Sequence, residues 1–129
     1  MIMASPRILI VDDEIFVRKS LRRALNNYEV VLAADGEEAI AHIEGSEPFD
    51  VILCDLMMPV VSGKDVYEYV RENSPGQERR FVFLTGGTVD SQADEFLSSL
   101  TNPILEKPFN FAHLRSVVED AIKPGRKRA

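Results

Sequence analysis

Apolar positions along the chain fall into two alternating kinds of segment. Short, β-branched runs lie at residues 8–11, 29–33, 51–54, 81–84 and 103–105. Runs of this length predict strands covered on both faces. The segments between them carry helical spacing. Val17, Leu21, Ala24 and Leu25 recur at i, i+4, i+7 and i+8, and Phe111, Leu114, Val118, Ala121 and Ile122 share one helical face. Shorter helical patterns surround residues 39–43, 66–70 and 93–97. Five repeats of strand then helix predict an α/β fold, a doubly wound five-stranded parallel sheet with helices on both faces. Breakers stand where turns are needed, at Asp35-Gly36, residues 46–48, Pro75-Gly76, Gly86-Gly87 and Asn102-Pro103. No interior linker or repeat interrupts the series. One domain is expected over residues 1–129, with a core from Arg7 to Ile122 and a basic tail over 123–129.

In an open parallel sheet, ligands bind beyond the carboxyl ends of the strands. Asp12 and Asp13 follow the first predicted strand, Asp55 the third, Thr85 the fourth, and Glu106 and Lys107 the fifth. The second is followed by Asp35-Gly36, read as a plain turn. Taken singly, each has an ordinary explanation: Asp12-Asp13 could cap the next helix, and Thr85 could be a turn residue. Taken together, three carboxylates, a hydroxyl and an ammonium converge on one edge. Bare carboxylates that close repel one another, and a divalent cation removes the penalty. Magnesium suits such a set, because it takes hard oxygen ligands and keeps several waters. Lys107 and Thr85 could bind phosphoryl oxygens, and a carboxylate can serve as the nucleophile of phosphoryl transfer.

Composition narrows the partners. The chain is 45% hydrophobic and 28% charged, ordinary for a globular protein, with a formal net charge of −6. An acidic surface argues against direct nucleic-acid binding. The single cysteine, Cys54, precludes an internal disulfide and fits a reducing cytoplasm. No apolar run approaches the roughly 18 residues of a membrane span, and the first residues lack a secretory pattern. A soluble, cytoplasmic protein is expected. His42 and His113 are read as exposed or packing residues, Cys54 as a core residue, and Tyr67 and Tyr69 as half-buried surface residues.

The stretches Ile8-Leu-Ile-Val-Asp-Asp-Glu14, Val51-Ile-Leu-Cys-Asp-Leu-Met-Met-Pro59 with Gly63, Phe83-Leu-Thr-Gly86 and Leu105-Glu-Lys-Pro-Phe109 resemble the receiver domains of two-component response regulators. They span the chain in order with the family's spacing. The resemblance implies a flavodoxin-like (βα)5 fold with strand order 2-1-3-4-5, an order that the pattern alone does not give. It implies Asp55 as the phosphorylated residue, Asp13 as a direct magnesium ligand and Asp12 as one acting through water. It implies Met57 as the source of a main-chain carbonyl for the metal, and Thr85 and Lys107 as the groups that bind the phosphoryl oxygens. Gly86 would leave room for the incoming group, and a cis Lys107-Pro108 peptide would aim the lysine. The donor implied is a phosphohistidine on a histidine kinase or phosphotransfer protein. The output would be a downstream protein partner or a self-dimer through the face of the fourth helix, fifth strand and fifth helix.

The implied role is a signalling phosphoacceptor that assists its own phosphorylation and dephosphorylation, not an enzyme acting on a separate substrate. One position departs from the family: Ile104 stands where an aromatic switch residue is common. Any phosphorylation-linked change is therefore expected to travel through residues 86–89 and the start of the fourth helix, with Ile104 nearly static. The stretch from Leu100 to Phe109 also resembles receivers appended to hybrid histidine kinases, so both a free-standing and an appended receiver fit. Three rival readings fit the residues less well. A haloacid dehalogenase-type phosphohydrolase would need an aspartate where Met57 stands. A pseudo-receiver would be expected to lack an acid or the lysine. A flavin or nucleotide carrier would need a phosphate-binding loop, and none is present.

Overall fold

The computed structural model describes residues 5–86 and 90–122. Its elements run β1 (Arg7–Val11), α1 (Ile15–Ala24), β2 (Glu29–Ala33), α2 (Gly36–Gly45), β3 (Val51–Asp55) and α3 (Gly63–Asn73). A 3₁₀ turn (Gln77–Arg80), β4 (Phe81–Thr85), α4 (Ser91–Ser98), β5 (Ile104–Glu106) and α5 (Phe111–Ile122) follow. The strands pair in parallel in the order β2-β1-β3-β4-β5, so the fold is the flavodoxin-like (βα)5 arrangement. Register places Ile8 opposite Val30 and Val51, and Asp55 opposite Leu84.

Alternation along each central strand splits the core in two. Leu9, Val11, Ile52, Cys54, Phe81 and Phe83 point to one face and pack with Ala39, Ile43, Val66 and Val70 of α2 and α3. Ile8, Ile10, Val51, Leu53, Val82 and Leu84 point to the other and pack with Leu21, Leu114 and Val118 of α1 and α5. The three central strands carry almost unbroken apolar sequence because both their faces are covered. That expectation fails at the sheet's edges. In β5 only Leu105 is buried, and Ile104 is 42% exposed. In β2 only Ala33 is buried. An edge strand keeps a solvent side, and the pairing order puts these two strands at the edges.

Two further local readings are corrected, and two features lie beyond what the pattern shows. Asp35 is the N-cap of α2, not a plain turn residue. Its carboxylate accepts from the Glu38 N–H, an otherwise unpaired donor of the first helical turn, at 2.8 Å, while the Glu38 carboxylate reaches back to accept from the N–H of Ala34, just before the cap, at 2.8 Å. Tyr67 is a core residue, 6% exposed, with its ring 5.4 Å from Phe81, 5.8 Å from Phe83 and 5.5 Å from Phe96. The aromatic cluster draws it inward, where Tyr69 remains half-buried. Phe111 shares the apolar face of α5 but opens its first turn and is 43% exposed. The 3₁₀ turn after Gly76, which has φ 101°, was not foreseen. No helix among the described residues is long and apolar enough to cross a membrane. The basic tail lies outside the described residues.

Candidate functional site

The carboxyl ends of β1, β3, β4 and β5 bring the candidate residues together. Asp12 continues the line of β1, its N–H donating to the Ala33 carbonyl at 3.2 Å. It is fully buried, whereas Asp13 is exposed. The carboxylates do not cap α1: its N-cap is Glu14, with no side-chain capping bond. Instead, Asp12 Oδ1 accepts from the Glu14 N–H at 2.9 Å, and Arg18 donates to the Asp12 carbonyl at 2.7 Å. These contacts fix the loop between β1 and α1.

Asp55 is the last residue of β3 and 4% exposed. The next residue, Leu56, donates its N–H to the Leu84 carbonyl at 2.9 Å and accepts from the Gly63 N–H at 2.9 Å. That clamp requires glycine. A Cβ on Gly63 would lie 2.4 Å from the Asp55 carbonyl oxygen and 2.8 Å from Leu56 Cα, and both are backbone atoms that cannot step aside cheaply. The start of α3 therefore rests on the main chain of Asp55. The Met57 N–H makes a long bond to Asp55 Oδ1, 3.3 Å. Thr85 ends β4, 3% exposed, and its carbonyl accepts the Lys107 N–H at 2.8 Å. The Lys107-Pro108 peptide is cis, as expected. Among the described residues, no atom lies within 4 Å of the point where a side chain on Gly86 would begin.

Carboxylate oxygens of Asp12, Asp13 and Asp55 all lie within 4.8 Å of one another. Lys107 Nζ stands 2.8 Å from Asp12 Oδ2, 3.2 Å from Glu14 Oε1 and 3.4 Å from Asp55 Oδ2. One ammonium cannot neutralise so many acids. Burial, then the charge of Asp12, push the Asp55 carboxyl up to about 6, against the opposing pull of Lys107 and the Met57 N–H. Burial works against the charge of Lys107, but the close ion pair with Asp12 and the charge of Asp55 outweigh it and hold its pKa above the ordinary lysine value. The buried Asp12 Oδ2 accepts no aligned hydrogen bond and meets the ammonium only as an ion pair. A buried carboxylate oxygen left this way, beside two more carboxylates, fits a hard divalent cation of the magnesium kind.

The expected residues thus converge, and Cys54 is buried as expected, its thiol pushed up by burial and by the charges of Asp55 and Asp12. His113 is exposed and His42 half-buried. Two participants carry no role in the sequence reading: Glu14, which reaches Lys107, and Arg18, which holds the Asp12 carbonyl. A third acid directly after Asp12-Asp13 was the available signal for Glu14. Arg18 lies four residues beyond Glu14, a spacing that suggests an intrahelical ion pair and so disguised its contact with the loop.

Residues 8–119 match the response regulator receiver domain family. Among curated proteins, the response regulator MprA of Mycolicibacterium vanbaalenii is 39% identical over 110 residues, 84% of this chain and 46% of that protein. The chain thus spans about half the length of the curated relatives it matches. Among solved structures, the chemotaxis protein CheY4 of Vibrio cholerae aligns with a TM-score of 0.77 and 34% identity, covering 92% of this chain and 99% of that one. The receiver domain of the sensor histidine kinase PA1611 from Pseudomonas aeruginosa, solved with magnesium coordinated in its active site cleft, aligns with a TM-score of 0.80 and 28% identity. That alignment covers 92% of this chain and 98% of the other.

Proposed function

The chain belongs to the response regulator receiver domain family, and from that premise we propose that it accepts a phosphoryl group on Asp55 from a phosphohistidine of a histidine kinase or phosphotransfer protein. The observation that carries this reading is the set of three contacts around Lys107. A buried carboxylate at the end of β3 faces an ammonium at 3.4 Å, with Thr85 ending the neighbouring strand.

An oxygen of the Asp55 carboxylate attacks phosphorus. The O–P bond forms as the N–P bond to the donor imidazole breaks, and the imidazole leaves with the bonding electron pair. Lys107 takes up charge on one phosphoryl oxygen and the Thr85 hydroxyl donates to another. Asp12, Asp13, Asp55 and the Met57 carbonyl would hold the magnesium ion, which supplies positive charge beside the phosphoryl oxygens when bound. Gly63 and the Leu56 clamp keep the acceptor in place while its charge changes. The domain then acts as a two-state switch, read by a downstream protein or a second copy through α4, β5 and α5.

The dehalogenase-type alternative is disfavoured because Met57, which cannot move protons, stands where the second acid would be. The pseudo-receiver alternative is disfavoured because the acids and the lysine meet at contact distance. Incubation with acetyl phosphate and magnesium, followed by intact mass, tests the reading. One added phosphoryl group is expected, absent with a chelator and absent in Asp55→Asn. A variant labelled to the wild-type extent with the same acyl-phosphate lability would overturn the assignment.

A further inference from the structure

Glu14 is not one of the carboxylates that the proposed reaction uses, yet it touches the reacting centre. Its side chain is 62% exposed, on a loop-to-helix boundary where no backbone donor holds it. Its Oε1 lies 3.2 Å from Lys107 Nζ, nearer than the Asp55 oxygen at 3.4 Å. When Asp55 carries a phosphoryl group, Lys107 must meet a phosphoryl oxygen and relinquish part of its present coordination. Asp12 would be drawn toward a bound cation, and the Asp55 carboxylate would be tied up as an acyl phosphate. Glu14 alone of the three keeps a free carboxylate in reach of the ammonium.

We propose that Glu14 is a positioning residue that competes with the phosphoryl group for Lys107 and so restrains phosphorylation of Asp55. The inference rests on the reading of Asp55 as acceptor. Glu14 and Lys107 also line one side of a groove of about 470 Å³, whose other walls include Phe16, Val17, Phe109 and Phe111. The competing contact is therefore open to solvent, and the competition is modest. A partly exposed ion pair translates into roughly a two- to five-fold effect.

The test uses Glu14→Gln and Glu14→Asp in the whole chain. Glutamine keeps the shape and loses the charge. Aspartate keeps the charge but is a methylene shorter, and at this N-cap position it favours the helix's own N–H groups over the lysine. Two readouts are taken with magnesium: the rate of phosphorylation by acetyl phosphate and the affinity for beryllium fluoride. A third is the NMR signal of the Lys107 ε-CH2 in metal-free protein. Both variants are expected to raise rate and affinity about two- to five-fold. Both are also expected to shift the lysine signal in the metal-free state, with the shift collapsing once beryllium fluoride binds. An unchanged or lower rate in Glu14→Gln overturns the proposal. Wild-type values in Glu14→Asp also overturn it, since they would trace the effect to net charge rather than to contact with Lys107. If the wild type itself takes no phosphoryl group on Asp55, the underlying reading has failed instead, and the lysine signal still reports whether the contact exists.

Discussion

Replacing Asp55 by asparagine should stabilise the metal-free protein at neutral pH, although it removes the proposed phosphoryl acceptor. The cause is the crowding of carboxylates. Burial and the charge of Asp12 raise the folded-state pKa of Asp55 from 3.8 to about 6. Between those values the folded protein keeps a proton that the unfolded chain has lost, so stability falls as pH rises through this window. The contribution is fully present below the unfolded value and gone above the folded one. Two pKa steps correspond to at most ~3 kcal/mol. Asparagine has nearly the same shape, stays neutral throughout and still offers a carbonyl to the Met57 N–H. Lys107 retains Asp12 and Glu14 at 2.8 and 3.2 Å. The variant should therefore exceed wild type by about 1–3 kcal/mol near pH 7.5, with the gap closing toward about pH 4. Urea unfolding in the presence of a chelator, followed by circular dichroism across that range, measures it. Magnesium should narrow the gap by stabilising wild type through binding. A variant no more stable than wild type at neutral pH, or a gap independent of pH, would refute the reasoning.

Three further outcomes are expected. Asp13→Ala should weaken magnesium binding sharply in a calorimetric titration, and equal affinity would remove Asp13 from direct coordination. Gly63→Ala should cost about 1–3 kcal/mol by forcing a Cβ into the Asp55 and Leu56 backbone, and should slow acetyl phosphate labelling as well; a fold of unchanged stability would show the clamp to be slack. Methyl NMR with and without beryllium fluoride should show Ile104 nearly static while the chain leading into α4 responds. Residues 87–89 of that path lie outside the described residues, and a large Ile104 rearrangement beside an unmoved loop would reverse the proposed coupling.

The fold was legible because both faces of the central strands are covered, leaving runs such as Val51-Ile-Leu-Cys apolar without interruption. Edge position was not legible from the pattern. Ile104 is as apolar as Leu105, and only the pairing order shows which of them meets solvent. The site was legible because strand ends in a parallel sheet share one edge, so acids far apart in sequence had to meet there. What escaped notice depends on side-chain reach and close approach. Glu14 had to be seen bending back to Lys107, and Tyr67 had to be seen among Phe81, Phe83 and Phe96. Val60 is another such case. It is β-branched and 92% exposed, with φ 67°, a conformation that no glycine, asparagine or aspartate in Pro59-Val-Val-Ser62 announces.

The central claim, that Asp55 is the acceptor, is tested most directly by site-resolved chemistry. The protein is labelled with acetyl phosphate and magnesium, reduced with borohydride and digested, and the peptide spanning β3 is sequenced by mass spectrometry. An acyl phosphate is reduced where a free carboxylate is not, so an aspartyl phosphate becomes homoserine. The account predicts homoserine at position 55 in labelled protein, with aspartate retained at 12 and 13 and no conversion when magnesium is withheld. Homoserine at another acid, or label carried on His42 or His113 with Asp55 unconverted, would contradict it.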